Sequence, residues 1–453
     1  MEKRRLRCVL ALILALALPA AAGAYTADLF GLNMRALALA NAQAGMVEGP
    51  AATFYNPAML AQQGGVQTEL TYLYSLSNFS LKLQDENGVK QRTMGALKRA
   101  ENTRPVQFLG AGVSGRIGDY VGLGLYMNLP IDGEPRPRYF HPQTPYWLKY
   151  DTSVNGFQFY PALSVRIIPN LMIGVGAAVV LDAAGEESLA FPTKSSQLAS
   201  VEASGKWSGG AAVIAGIFYR PLEFLQVGFT YRGENYIRDK RKTTLDAPGA
   251  ASDGLPVKSE VIWDYSPQAF DLGIVGQPFE WWRITADLVF TSWSMYKPPF
   301  PKIRPEYDKL ATPLTEAQTP AIIDVTSKEL NFADTLVVRV GLDFRPIKQF
   351  EILAGYSYEP SPVPKQTGTT NILDANENII GLGVGVNVGG TDGDLVRIDV
   401  GGQFHVIANR WYTKGVDKMS AYYAGDPSLN PGYAKVSARA SYFVGGLSAK
   451  FHF

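Results

Sequence analysis

Side chains with catalytic potential are few and scattered in this chain. Its 453 residues include three histidines and one cysteine. His141 falls in a polar stretch, His405 on one face of an alternating segment, and His452 beside the last residue. None belongs to a Ser/His constellation, and no G-x-S-x-G elbow occurs, so an enzyme is not expected. Cys8 lies before an apolar run near the N-terminus, leaving any chain that starts beyond it without a thiolate nucleophile, metal ligand or disulfide. No cofactor is implied. The chemistry on offer is electrostatic. Arg283, Asp287, Arg339, Asp343, Arg345, Arg397 and Asp399 share the polar face of segments whose intervening residues are apolar. Such charges could hold a substrate carboxylate. Pairing with one another is the stronger expectation, because an uncompensated buried charge is costly.

The elements that position these charges follow from the ends of the chain and its rhythm. Residues 1–24 read as a signal peptide. Lys3, Arg4, Arg5 and Arg7 form a basic start, Val9 to Leu18 is too short to span a bilayer comfortably, and Ala22-Gly-Ala24 fits a small-x-small cleavage site. A mature chain from Tyr25 is therefore expected. The whole chain has net charge +1; the leader holds four basic residues and Glu2, so the mature part carries −2. With no basic arm or aromatic–basic cluster, a nucleic-acid partner is not expected. After the leader no apolar run reaches the roughly 18 residues of a membrane helix. Mean hydropathy of −0.03, with 45 Gly, 23 Tyr and 22 Phe, suits strands that alternate between lipid and a lumen.

Fourteen such segments can be marked: 66–77, 105–117, 119–129, 153–168, 170–182, 206–220, 222–233, 258–277, 279–294, 334–346, 348–359, 377–388, 394–408 and 435–453. Every second connection is short and rich in Pro, Gly, Asn and Asp, as in Ile117-Gly-Asp119, Ile168-Pro-Asn170 and Arg345-Pro-Ile-Lys348. The others are long and polar. Short turns at one end and long loops at the other describe an all-β transmembrane antiparallel barrel of the outer membrane of a Gram-negative bacterium. The final strand alternates Phe443, Leu447, Ala449 and Phe451 toward lipid and ends on Phe453. In the third strand Val121, Leu123, Leu125, Met127 and Leu129 oppose Gly122, Gly124, Tyr126 and Asn128. In the tenth, Leu336, Val338, Val340, Leu342 and Phe344 oppose Arg339, Asp343 and Arg345. A charge on the lipid face near the midplane costs about 2–4 kcal/mol, so the charged face is assigned to the lumen.

Fourteen strands enclose a bore that must be filled or leak. Residues 25–65 are the candidate filler. Met34 to Ala44 is Ala/Leu-rich behind a possible N-cap at Asn33, which predicts a short helix. Gly45, Gly49 and Pro50 interrupt it. Pro57 then fixes φ and keeps Asn56 out of the helical region, giving a rigid turn at Asn56-Pro57-Ala58.

The run Gly31-Leu-Asn-Met-Arg-Ala36, the Ala-rich segment after it and Pro50-Ala-Ala-Thr-Phe-Tyr-Asn-Pro-Ala58 resemble the FadL-type family of outer-membrane transporters of hydrophobic compounds, TodX-like members included. The resemblance implies a 14-stranded barrel over 66–453, plugged by a hatch over 25–65 whose signature is Asn56, Pro57 and Ala58. It implies an apolar ligand site reached by Tyr25, Thr26, Leu29 and Phe30, and a lateral opening at an inward kink of the third strand, matched here by Gly122 and Gly124. The implied partners are a hydrophobic small molecule, foremost a long-chain fatty acid, and outer-membrane lipid, with the barrel a monomer. Loop residues Tyr139, Phe140, Tyr146, Trp147, Pro298, Pro299 and Phe300 would offer an exposed landing groove. A water-filled porin and a structural or secretion-associated barrel are the competing readings.

Overall fold

The computed structural model describes residues 26–84, 105–131, 145–150, 157–183, 187–192, 198–203, 207–246, 255–300, 302–306, 330–367, 370–389, 396–414 and 435–453. Fourteen antiparallel strands form a closed barrel in chain order. They are β1 (Val66–Gln84), β2 (Val106–Ile117), β3 (Val121–Pro130), β4 (Phe157–Ile168), β5 (Leu171–Ala183), β6 (Trp207–Leu222), β7 (Leu225–Arg232), β8 (Ala269–Phe279), β9 (Trp282–Thr291), β10 (Thr335–Ile347), β11 (Phe350–Glu359), β12 (Glu377–Val388), β13 (Val396–Thr413) and β14 (Lys435–His452). Closure comes from β1 and β14, paired from Gln67↔His452 to Gln84↔Lys435. The backbone of Phe453 exchanges hydrogen bonds with Val66, at 2.8 and 3.0 Å. Every edge donor and acceptor there is satisfied, which a strand in hydrocarbon requires.

The outer wall carries the apolar half of each alternation. Leu336, Val338 and Val340 are exposed on β10, whereas Arg339 and Asp343 are buried. Near the short turns Phe279, Trp281 and Trp282 stack in sequence, an arrangement suited to the membrane interface.

The strands outrun the lipid-facing rhythm, and here the sequence reading is corrected. β1 continues to Gln84 rather than residue 77. The same face points inward throughout, but its chemistry inverts. Glu69, Thr71 and Ser75 are buried in the lower part, Phe79, Leu81 and Leu83 in the upper part. In β14 the inward residues change likewise, from Ser448 and Lys450 below to Val436, Ala438 and Tyr442 above. Above the membrane the outer face meets water, so the apolar residues must turn inward. The segment 258–277 is two strands, broken after Ser266 and resuming at Ala269, with Pro267 between. Its upper part, Leu255–Ser266, belongs to a second sheet built from the long connections, in the order Lys302–Pro305, Leu255–Ser266, Asn235–Asp246, Leu198–Ala203, Glu187–Pro192.

Residues 26–62 lie inside the barrel. Three short helices, α1 (Thr26–Phe30), α2 (Met34–Ala38) and α3 (Ala52–Tyr55), are joined by turns and by 3-10 segments at Gly49–Ala51 and Pro57–Gln62. The Asn33 side chain accepts a hydrogen bond from the Ala36 amide and so caps α2. The helix expected to reach Ala44 ends at Ala38, because Ala40 and Asn41 take positive φ of 50° and 62°. Tertiary contact overrides helix propensity there: the Asn41 side chain accepts from the Tyr55 hydroxyl at 2.9 Å, and the Leu39–Ala40 backbone lies against the wall at Gly355.

Candidate functional site

The inner wall is smooth where this N-terminal segment touches it. Glycines of the strands face it directly. A Cβ added to Gly122 would lie 2.4 Å from the Leu60 backbone, at Gly174 2.4 Å from the Ala58 amide, at Gly228 1.8 Å from the Ala44 carbonyl oxygen and at Gly355 2.3 Å from the Leu39 backbone. Only residues without a Cβ allow two backbones to approach so closely.

Polar bolts complete the seat. The Asn56 side chain donates to the Ala44 and Ile217 carbonyls at 2.7 and 3.1 Å and accepts from the Ala58 amide at 3.1 Å. The Pro57 ring fixes the turn while the asparagine ties it to the connection at Ala44 and to β6. On the far side Arg35 bonds Asp343 at 2.7 Å and Glu351 at 2.6 Å. Arg283 joins Asp343 and the segment's own Glu48, Arg345 joins Asp343 and Glu351, and Arg397 joins Glu351 and Asp399. The result is a balanced knot of four arginines (35, 283, 345, 397) and four carboxylates (48, 343, 351, 399), buried at Arg35, Asp343, Glu351, Arg397 and Asp399. Asp287 stands apart and accepts from the Ala44 amide at 2.9 Å. Arg339 also stands apart, donating to the Asn41 carbonyl and lying near Asp271 and Glu359. Sequence reasoning assigned the wall charges to the lumen but missed Arg35, Glu48 and Glu351. Arg35 is the one charge inside an otherwise apolar stretch, and that isolation was the available signal.

Above the bolts the lumen holds an apolar cluster. Leu29 and Phe30 of α1 enter a cluster with Leu73, Phe108, Trp147, Tyr150 and Tyr442. The Phe30 ring lies 5.1 Å from Tyr442 and 5.4 Å from Phe108, and Phe79 stacks on Trp147 at 5.2 Å. Beside Leu29 opens a cavity whose lining includes apolar Ala269, Val289 and Val337 and charged Lys149, Arg232, Arg339 and Glu359. Tyr25 lies outside the described residues, and Thr26 begins α1.

The expected inward kink of the third strand is not accompanied by any break in its pairing. β3 pairs with β2 from Phe108↔Pro130 to Ile117↔Val121 and with β4 from Val121↔Val165 to Asn128↔Gln158, in one register on each side. Gly122 and Gly124 are instead the floor on which Leu60 and Thr53 rest. The exposed landing groove is corrected too. Tyr146, Trp147 and Phe300 are buried, Tyr139 and Phe140 lie outside the described residues, and Pro298 is half-buried with Pro299 buried. The described loop aromatics pack on one another rather than line an open groove: Tyr146, Tyr265, Tyr296, Phe300 and Phe332 form one cluster, and Tyr146–Trp147 pairs with Ile372–Leu373.

Next to that pairing, burial raises the Asp374 carboxyl to about 6, although Lys149 pulls the other way. Because the folded value exceeds the ordinary 3.8, the native cap holds a proton that the unfolded loop loses. Its stabilising effect is full below about pH 4 and is lost as the pH rises through about 6. Asp374→Asn should therefore slow amide exchange in residues 371–375 and 146–148 at pH 7.5, by the equivalent of about 1–3 kcal/mol, and change little at pH 4. Equal protection of both proteins at pH 7.5 would contradict this.

A model of the family "Outer membrane protein transport protein (OMPP1/FadL/TodX)" matches residues 13–451. Among solved structures, a Pseudomonas aeruginosa FadL homologue superposes with a TM-score of 0.66 at 16% identity, covering 96% of this chain and 99% of that one. The Pseudomonas putida toluene transporter TodX gives 0.56 at 14% identity over 93% and 98%, and the Ralstonia pickettii toluene transporter TbuX 0.53 at 14% over 93% and 98%. At such identities the likeness is one of fold. No curated protein sequence matches the chain.

Proposed function

The chain belongs to the OMPP1/FadL/TodX family, outer-membrane barrels that transport hydrophobic compounds, and from that premise we propose that it admits long-chain fatty acids by passive, α1-gated diffusion. The observation that carries the reading is the seat of α1: Leu29 and Phe30 fill the bottom of an aromatic lumen that a hydrophobic molecule would otherwise occupy. Residues 25–65 act as the hatch, with Asn56, Pro57 and Ala58 as its fixed corner. The bolts hold the hatch body, so the moving part is α1. It is joined to the body at Gly31, whose φ of +73° suits glycine and where a Cβ would meet Leu37 Cδ1 at 2.5 Å. A fatty acid would lay its chain beside Leu29 and present its carboxylate to the Lys149, Arg232 and Arg339 edge of the cavity. Toluene, the compound carried by TodX and TbuX, represents the competing substrate class, and it needs no such cationic edge.

Release into the bilayer would proceed beside β3, once Leu60 leaves Gly122 and Gly124 and a neighbouring ladder parts. The closed β2–β3–β4 ladder corresponds to the resting state of that cycle. The signal peptide would deliver the chain to the periplasm of a Gram-negative bacterium, and the barrel works as a monomer. A general porin is disfavoured by the tightly seated interior.

Uptake of labelled oleate by cells carrying Asn56→Ala, or lacking residues 25–30, tests this. Each change should slow uptake at least several-fold at equal surface expression. Normal uptake in both would end the gating reading, and toluene entry without oleate entry in the parent would reassign the substrate.

A further inference from the structure

The sheet outside the barrel has one face whose charge neither the fold nor transport explains. Its two central strands continue the β7–β8 hairpin beyond Arg232 and Ala269, so they rise from the barrel mouth. The opposite face buries Ile237 and Val261 together, with Asp239 opposite Val261. On the charged face Lys242 lies opposite Lys258, and Lys258 opposite Arg304. One step along the strands, Lys240 flanks Glu260, which Lys302 flanks from the other side. Arg238 follows on the same face. The carboxylates there are already engaged, Glu260 by Arg238 at 3.0 Å and Glu306 by Lys258 at 2.5 Å.

Like charges directly opposite each other on adjacent strands destabilise a sheet. Glu306 offsets Lys258, so the surplus charge of Lys242 and Arg304 on either side of it is a stability cost that a purely structural role does not account for. Lys240, Lys242, Lys258, Lys302 and Arg304 are exposed. They sit eight to ten residues beyond the end of β7 or its paired equivalent, roughly 26–33 Å of extended chain. That is the level of the sugars above the outer leaflet rather than of the acyl chains.

We propose that this face docks the phosphorylated, acidic core sugars of the lipopolysaccharide surrounding the barrel. The argument is charge complementarity. Phosphates and sugar carboxylates packed side by side need cations between them, and the row Lys242–Lys258–Arg304 supplies cations at the strand spacing of about 4.8 Å. Arginine and lysine donate charge-assisted hydrogen bonds to such oxygens. The protein would replace divalent cations that otherwise bridge neighbouring glycolipids, anchoring its loops in the polysaccharide layer. This does not depend on which hydrophobic compound is carried.

The test uses the full-length protein in nanodiscs and fluorescently labelled lipopolysaccharide, either with its phosphorylated core or truncated to the lipid anchor. The parent should bind the core-bearing form at least tenfold more tightly than the truncated form, with or without EDTA, and lose binding as salt rises. K242E/K258E/R304E should lose at least tenfold and bind only when magnesium is present. K242Q/K258Q/R304Q should fall between, and it covers the case in which charge reversal disturbs folding, checked by heat-modifiable gel mobility. Equal binding of both lipopolysaccharides, or unchanged binding by the variants, overturns the proposal. Unchanged lipopolysaccharide binding with slower oleate uptake also overturns it, assigning the patch to substrate steering instead.

Discussion

Arg35→Ala should turn a sealed barrel into a leaking one. Arg35 is buried, with Asp343 at 2.7 Å and Glu351 at 2.6 Å. Its removal leaves Arg283, Arg345 and Arg397 to neutralise Glu48, Asp343, Glu351 and Asp399, so one carboxylate charge is uncompensated in the lumen. Breaking one side of a buried pair costs about 3–5 kcal/mol. The barrel strands are held by continuous ladders, whereas the segment is held only by its seat, so the cost falls on the docking of residues 26–62. Planar-bilayer conductance should rise from near closed to frequent openings, and cells should become sensitive to large antibiotics. Adding Glu351→Gln should recover part of the seal, since it removes the stranded charge; the coupling is readable as a double-mutant cycle. A silent, fully folded Arg35→Ala barrel would show that the knot is not a bolt.

Gly228→Ala should have a comparable effect by a different route. The added methyl would lie 1.8 Å from the Ala44 carbonyl oxygen and 2.4 Å from its carbon. Both partners are backbone, so no rotamer change relieves the clash, and either β7 or the Ala44–Gly45 turn must shift. The turn is itself tied by Asn56 and Asp287, so the strain spreads to both. Overpacking of this kind costs about 3 kcal/mol or more. Gly276→Ala on the adjoining strand is the control, because its Cβ would meet nothing within 4 Å. The first variant should expose residues 26–62 to protease and lower the thermal midpoint; the second should match the parent. Equal behaviour of the two would remove the close-approach argument.

The charged positions read from the sequence divide instructively. Arg283, Asp343, Arg345, Arg397 and Asp399 meet in one knot, whereas Asp287 and Arg339 hold the segment elsewhere. Alternation told which face each would take, because period two and the cost of charge in lipid leave one option. It carried no information on partners, which come from strands and a segment far apart in the chain.

The sequence by itself determined the barrel. Strand count, strand order, lumen face and the split between short turns and long loops all follow from local periodicity and turn chemistry. It determined the Asn33 cap and the corner at Pro57 for the same reason, since each is fixed by residues within a few positions. Only the tertiary structure decided where strands end, because β1 and β14 invert their apolar pattern on leaving the membrane, where the apolar environment passes from outside to inside. Only it decided that α2 stops at Ala38, that the β3 glycines floor the seat, that loop strands form a cationic sheet, and that Arg35 closes the knot. Each of these depends on what a distant part of the chain brings within a few ångströms, and periodicity does not encode that distance.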